Sequence, residues 1–126
     1  MKTFALAVLC FALMLTGLFI FLNYAENTCN ELLGELDGVL QAVDADNMEE
    51  AKSKVEEFAR KWNKKRKILS IFTDNAVNDV ITENVTAMEY FAELEEKGEI
   101  VSRAGVIKEF IENIYRLEKP TLENIL

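Results

Sequence analysis

No charged side chain occurs between Lys2 and Glu26, and from Phe4 to Leu22 only Thr16 and Gly17 interrupt an apolar run. As a helix rising ~1.5 Å per residue, that run is about 28 Å long, close to the ~30 Å hydrocarbon thickness of a bilayer. Residues 1–25 therefore read as a membrane anchor and residues 26–126 as the domain it carries. Such a segment says where the rest of the chain works, and little about what it does.

A cleaved secretory signal is the competing reading. It needs a basic start, which Lys2 supplies, but also a shorter apolar stretch of roughly 7–15 residues and a small-x-small cleavage site. The exit reads Leu22-Asn23-Tyr24-Ala25-Glu26, and Asn23 stands three residues before a cut after Ala25. Lipid-anchor processing wants small residues just before a cysteine, whereas Glu26-Asn27-Thr28 precede Cys29 and Cys10 is too early. An uncleaved signal-anchor is the better fit.

Flanking charge sets the orientation. Lys2 lies on the N-terminal side, while the far side runs through Glu26, Glu31, Glu35 and Asp37 before the first basic residue, Lys52. Basic residues beside a span favour the cytoplasmic face. The expectation is a single-pass protein of the cell membrane, N-terminus cytoplasmic and residues 26–126 extracytoplasmic.

That outer part is long enough for one domain with its own core. One proline, five glycines and an abundance of Glu, Lys, Leu, Asn and Ala favour helices, and no alternating Val/Ile/Thr stretch argues for strands. The fold class read from the chain is all-α: a transmembrane helix continuing into an antiparallel bundle of about four helices. Leu32, Leu33, Leu36, Val39, Leu40 and Val43 put one apolar stripe on the first helix. Gly34 and Gly38, four apart, mark a site where another helix packs tightly.

Asp46 or Asn47 caps a second helix, with Glu49 and Glu50 in its first turn, where the helix dipole favours negative charge. Val55, Phe58, Ala59, Trp62, Leu69 and Phe72 lie on its inner face. An end near Thr73-Asp74-Asn75 is expected, and a single kinked helix running on through this cluster is the alternative. A third helix turns Val77, Val80, Ile81, Ala87, Met88, Phe91 and Leu94 inward and stops at Gly98. The fourth starts near Ser102, carries Val106, Ile107, Phe110, Ile111, Ile114 and Leu117 on one side, and ends at Pro120. Short connections between amphipathic segments make an up-down bundle, in which Trp62, Phe91 and Phe110 are core residues. Leu122, Ile125 and Leu126 would close its lower end or else dip into the membrane interface. Asn84, beside the apolar face, either makes a buried register-fixing hydrogen bond or is half exposed.

The unusual charge feature is basic. Arg60, Lys61, Lys64, Lys65, Arg66 and Lys67 hold six of the 14 basic side chains, and no acidic residue occurs from Arg60 to Thr73. A first helix climbing from Asn23 to Val43 rises about 30 Å, and a second descending from Asn47 has returned about 27 Å by Lys65. The cluster should thus come back close to the lipid headgroups, where each basic side chain gains roughly 1 kcal/mol from anionic lipid. It would contact lipid or a membrane partner, or else neutralise the bundle's own glutamates. Nucleic acid is not an expected partner of a domain facing outward.

Nothing in the chain spells out a reaction. Histidine is absent, so the Glu-x-x-His pairs of di-metal bundles and the usual zinc and heme ligands are missing. Cys10 and Cys29 are 19 residues apart along one helix, about 28 Å, too far for a disulfide between them. Cys29 is left as a free thiol or a bridge to a second copy. No nucleophile–base pair, phosphate loop or metal spacing is present. Asn84-Val85-Thr86 matches a glycosylation acceptor. No catalytic, cofactor or metal residue is assigned, and an enzyme is not expected.

Trp62 with its Lys-rich turn, Ile68-Leu69-Ser70-Ile71-Phe72, the Asp74 region and Leu122-Glu123-Asn124-Ile125-Leu126 resemble a bacterial family known as domain of unknown function 4363. The resemblance implies a short membrane-anchored helical protein, associated with an uncharacterised multi-pass membrane protein and with no known activity. Many members carry a histidine about where Asn75 stands. The expected function is a binding or accessory module for another membrane protein or the membrane surface. The alternative is a sensor-type bundle that binds a small molecule between its helices. Oligomeric state is not readable.

Overall fold

A computed structural model describes residues 1–71 and 73–118, with side chains through Ile114. The expectations placed on Phe72, Leu117, Pro120, Leu122, Ile125 and Leu126 fall outside what it describes. Four helices account for the fold: α1 (Lys2–Asp44), α2 (Met48–Leu69), α3 (Asn75–Glu93) and α4 (Lys97–Glu118). Among the described residues α1 packs on α2 and α4, α3 packs on α2 and α4, and the diagonal pairs do not meet. This is the up-down-up-down bundle that short turns and apolar stripes impose.

The first helix serves two environments. Every residue from Met1 to Ile20 is exposed, and its apolar side chains include Phe4, Phe11 and Phe19. From Ala25 onward one face is buried through Thr28, Cys29, Leu32, Leu36, Val39, Ala42 and Val43. A 43-residue α1 is about 65 Å long, so roughly its first half projects beyond the bundle. The bundle's single core joins this face to Phe58 and Trp62 of α2, Ile81 and Met88 of α3, and Ile107, Ile111 and Ile114 of α4. Phe91 and Phe110 pack against the core half-buried, whereas Leu94 is exposed and does not join it.

Two turns share one geometry, and one of them departs from the sequence reading: Asn47 caps α2 as expected, but α3 does not end at Gly98. At the end of α1, Asp46 takes φ 59°, its amide bonds to the Val43 carbonyl and the Asn47 amide bonds to the Ala42 carbonyl. At the end of α3, Glu95 takes φ 56°, with its amide on Ala92 and the Glu96 amide on Phe91. Both are Schellman caps, which usually place glycine at the left-handed position. Here acidic residues occupy it, so Gly98 does not end the third helix. It lies in the first turn of α4, which begins at Lys97 rather than near Ser102.

The break between α2 and α3 is complete. Leu69 ends α2, and the Asp74 carboxylate caps α3 by accepting from the Ala76 amide. The glycines of α1 do not mark tight helix packing. A Cβ on Gly34 meets nothing within 4 Å, and one on Gly38 meets only the Lys54 side chain at 3.5 Å.

Candidate functional site: the basic end of the bundle

The six basic residues all lie on α2, and the structure divides them. Lys61, half-buried, reaches Glu35 of α1 at 2.6 Å, Glu31 at 3.5 Å and Glu57 at 3.7 Å. Its hydrogen bond to Glu35 raises its pKa against the smaller opposing effect of desolvation. Self-neutralisation of the bundle thus describes Lys61. Among the described residues no ion pair reaches Arg60, Lys64, Lys65, Arg66 or Lys67.

Three contacts mark the antiparallel register of α2 on α1. Lys54 lies against Gly38, Lys61 against Glu31 and Glu35, and Lys65 against Tyr24. Each step toward the end of α2 is a step back toward the exposed apolar half of α1. Lys65 donates to the Tyr24 hydroxyl at 3.1 Å and sits 5.3 Å from the ring centroid. The turn at Ser70 and Ile71 follows five and six residues later, further toward the projecting half of α1.

Around the helix, Arg60, Lys64 and Lys67 recur at spacings of four and three, so they share one face, and Ile71 follows just past the end of α2. All four are exposed, and Ile71 keeps 70 % of its surface. That face is opposite the one carrying Phe58, Trp62 and Leu69 into the core. Arg60 stands higher, in a shallow surface depression with Ser53, Glu56 and Glu57. The stripe therefore runs from acidic through basic to apolar as it approaches the projecting half of α1.

The same end is braced from α3. Trp62, fully buried, donates its indole N–H to the Thr82 hydroxyl at 3.0 Å, and Thr82 donates to the Asn78 carbonyl at 2.9 Å. The Asn78 amide in turn donates to the Arg66 carbonyl at 3.0 Å, in the last turn of α2. Sequence reading missed this brace because Thr82 and Asn78 carry no signal of their own. Spacing could have found them, since both fall on the Ile81 and Val85 side of α3. Asn84 is buried, donating to the Val80 carbonyl at 2.8 Å and accepting from Arg103 Nη1 at 3.2 Å. It thereby ties α3 to α4, and its amide is not presented to an enzyme that would add a glycan.

Acidic residues gather at the other end. Asp44, Asp46, Glu49, Glu50, Glu95, Glu96 and Glu99 are all exposed around the two Schellman turns, where Lys97 pairs with Asp46. Between the ends, Lys52 pairs with Glu93 at 2.9 Å. Glu89 shares a groove of about 190 Å³ with Lys52, Glu56 and Glu93, and burial, then the Glu56 charge, pushes its carboxyl up. A second open groove of about 550 Å³ lies between α1 and α4, lined by Leu40, Gln41, Val43, Asp44 and Val101. Among the described residues no three His, Cys, Asp or Glu side chains converge on a point that would hold a metal. Asn75 is exposed as the first residue of α3.

Among the described residues α1 alone is long and apolar enough to cross a membrane, and none of its most apolar stretch is buried in the bundle. No curated protein and no solved structure matches the chain. The family model described as Domain of unknown function (DUF4363) matches residues 19–125, from the last turn of the projecting apolar segment through the bundle. On that match the chain belongs to the domain of unknown function 4363 family.

Proposed function

We propose that this chain is a single-pass membrane protein whose extracytoplasmic bundle is a binding or accessory module for another membrane protein or for the membrane surface, and not an enzyme. The observation that supports it is the division of α1. A fully exposed apolar half, with no surface among the described residues of the bundle to cover it, is stable when lipid surrounds it. The other half is the first wall of the bundle, so span and module share one continuous helix with no linker between them. A module joined to its span in this way stays near the membrane while the helix can still tilt in the bilayer, which suits a protein that contacts neighbours at the membrane surface.

The test is crosslinking in intact cells with a membrane-impermeant, lysine-reactive reagent, followed by mass spectrometry. The reading expects adducts at Lys64 and Lys67 that join the chain to a membrane protein or to amine-bearing lipid. Reaction only after lysis, with soluble cytoplasmic proteins, contradicts it.

A further inference from the structure

We propose that Lys64, Lys67 and Ile71 form an interfacial anchor, in which the two ammonium groups bind the phosphates of anionic lipid headgroups while Ile71 enters the apolar boundary beneath them. The inference deepens the reading of the bundle as a membrane-surface module and rests on it.

Three independent features support this surface. The first is height: the Lys65–Tyr24 contact places this end of α2 beside the exit of the apolar half of α1, and Ile71 follows six residues further toward that half. The second is direction. Lys64 and Lys67 are on the outward face of α2 and Ile71, just past its end, is exposed, so all three are free to reach a headgroup layer while Trp62 and Leu69 stay in the core. The third is the order of chemistry along that end. Cations followed by an exposed branched aliphatic reproduce the sequence of layers met on entering a bilayer, phosphate first and hydrocarbon next. Lys61 is excluded by its three glutamates, and Arg60 by its height and by Glu56 and Glu57 beside it. Asp74 and Asp79 also lie toward this end but on α3, off the stripe.

A lipid surface fits better than a folded partner on one count. A lone exposed isoleucine beside two flexible lysines offers no shaped pocket, and a fluid headgroup layer requires none. The second end of the bundle, crowded with exposed carboxylates, would be repelled by the same surface, so the two ends together orient the bundle.

The test uses the full chain in nanodiscs made with neutral lipid alone or with anionic lipid added, each doped with a headgroup-attached paramagnetic lipid. Amide relaxation by NMR is read along α2. The expected result in anionic discs is strong broadening at Lys64–Ile71, none at Asp46 or Lys97, and loss of the effect at high salt. Because each basic side chain is worth roughly fivefold, Lys64→Gln with Lys67→Gln should lower the docked-to-free ratio about 30-fold. Ile71→Ser should lower it several-fold in both lipids. Both variants change exposed side chains, so the spectrum of the core should not move.

Broadening that is equal in neutral and anionic discs, or unchanged by the lysine substitutions, overturns headgroup binding while leaving the membrane-anchored module standing. Broadening at Asp46 instead overturns the orientation. A chain that does not enter the discs overturns the anchor reading itself.

Discussion

Lys65 of α2 donates a hydrogen bond to the hydroxyl of Tyr24 and lies over its ring, although 41 positions separate the two residues. Tyr24 follows the last residue of the apolar run by two positions, so this contact measures the height of the bundle against the projecting segment. Exposed cation–π contacts contribute only about 0.5–1 kcal/mol. The pair is thus a marker of register more than a source of stability, and the register itself comes from the buried faces of α1 and α2.

The brace below Trp62 carries more. Replacing Thr82 by Val keeps the shape of the side chain and removes the acceptor of the buried indole N–H. An unsatisfied buried donor costs about 1–3 kcal/mol. Thr82→Val should therefore lower stability by that amount in denaturant titration of the full chain in detergent micelles. A loss below about 0.5 kcal/mol would mean the indole finds water instead.

Glu95 holds a backbone conformation that costs an L-residue roughly 1–2 kcal/mol. Glycine adopts it freely but brings more entropy to the unfolded chain. Glu95→Gly is expected to stabilise the bundle by about 0.5–1 kcal/mol, whereas Gly98→Ala, inside the first turn of α4, should gain a similar amount from helix propensity. Thermal unfolding of the two single variants checks both signs. A glycine cap at position 98 would make Gly98→Ala destabilising.

Cys29 has none of its surface exposed and packs with Leu32 and the core of the bundle. A bulky maleimide should leave it unmodified in the native chain and label it at the rate of global unfolding, by mass spectrometry against denaturant. Rapid labelling without denaturant, or a disulfide between two copies, would contradict this packing.

Two titrations run in opposite pH ranges. The Glu89 carboxyl is raised by burial and by Glu56, so its protonated form is favoured by folding. Its contribution is complete below the ordinary value of 4.5 and is lost as pH rises through the higher folded value. Glu89→Gln should therefore be more stable than the native chain at neutral pH, and the gain should vanish on acidification past 4.5. Lys61 is raised by Glu35, so its contribution holds below 10.5 and fades only above it. Stability curves of Glu89→Gln and the native chain that stay parallel from acid to neutral pH would show that Glu89 is not desolvated.

The helical architecture was legible because periodicity is a strong signal: the stripes at Leu32–Val43, Val55–Leu69 and Ile107–Ile114 are the faces that the core buries. The return of the basic cluster to the level of Tyr24 followed from helix rise alone. Helix ends were less legible where the left-handed cap was taken by Glu95, since nothing local distinguishes such a carboxylate from a solvated one, whereas the break before Asn47, which caps α2, was read from its capping residues. Within the cluster, the division between Lys61 and its neighbours was hidden. Charge count treats six cations alike, and only the position of Glu31 and Glu35 across the α1–α2 seam separates them.

The central claim is that the first half of α1 lies in lipid with the bundle outside the cytoplasm, and labelling of Glu95→Cys in intact cells tests it most directly. Cys10 lies within the proposed span and Cys29 in the core, so the new thiol at the exposed far turn is the one a membrane-impermeant maleimide can reach. The account predicts labelling before any permeabilisation, on a chain retained in the membrane fraction. Labelling only after the cells are opened, or a labelled chain released into the soluble fraction, would contradict it.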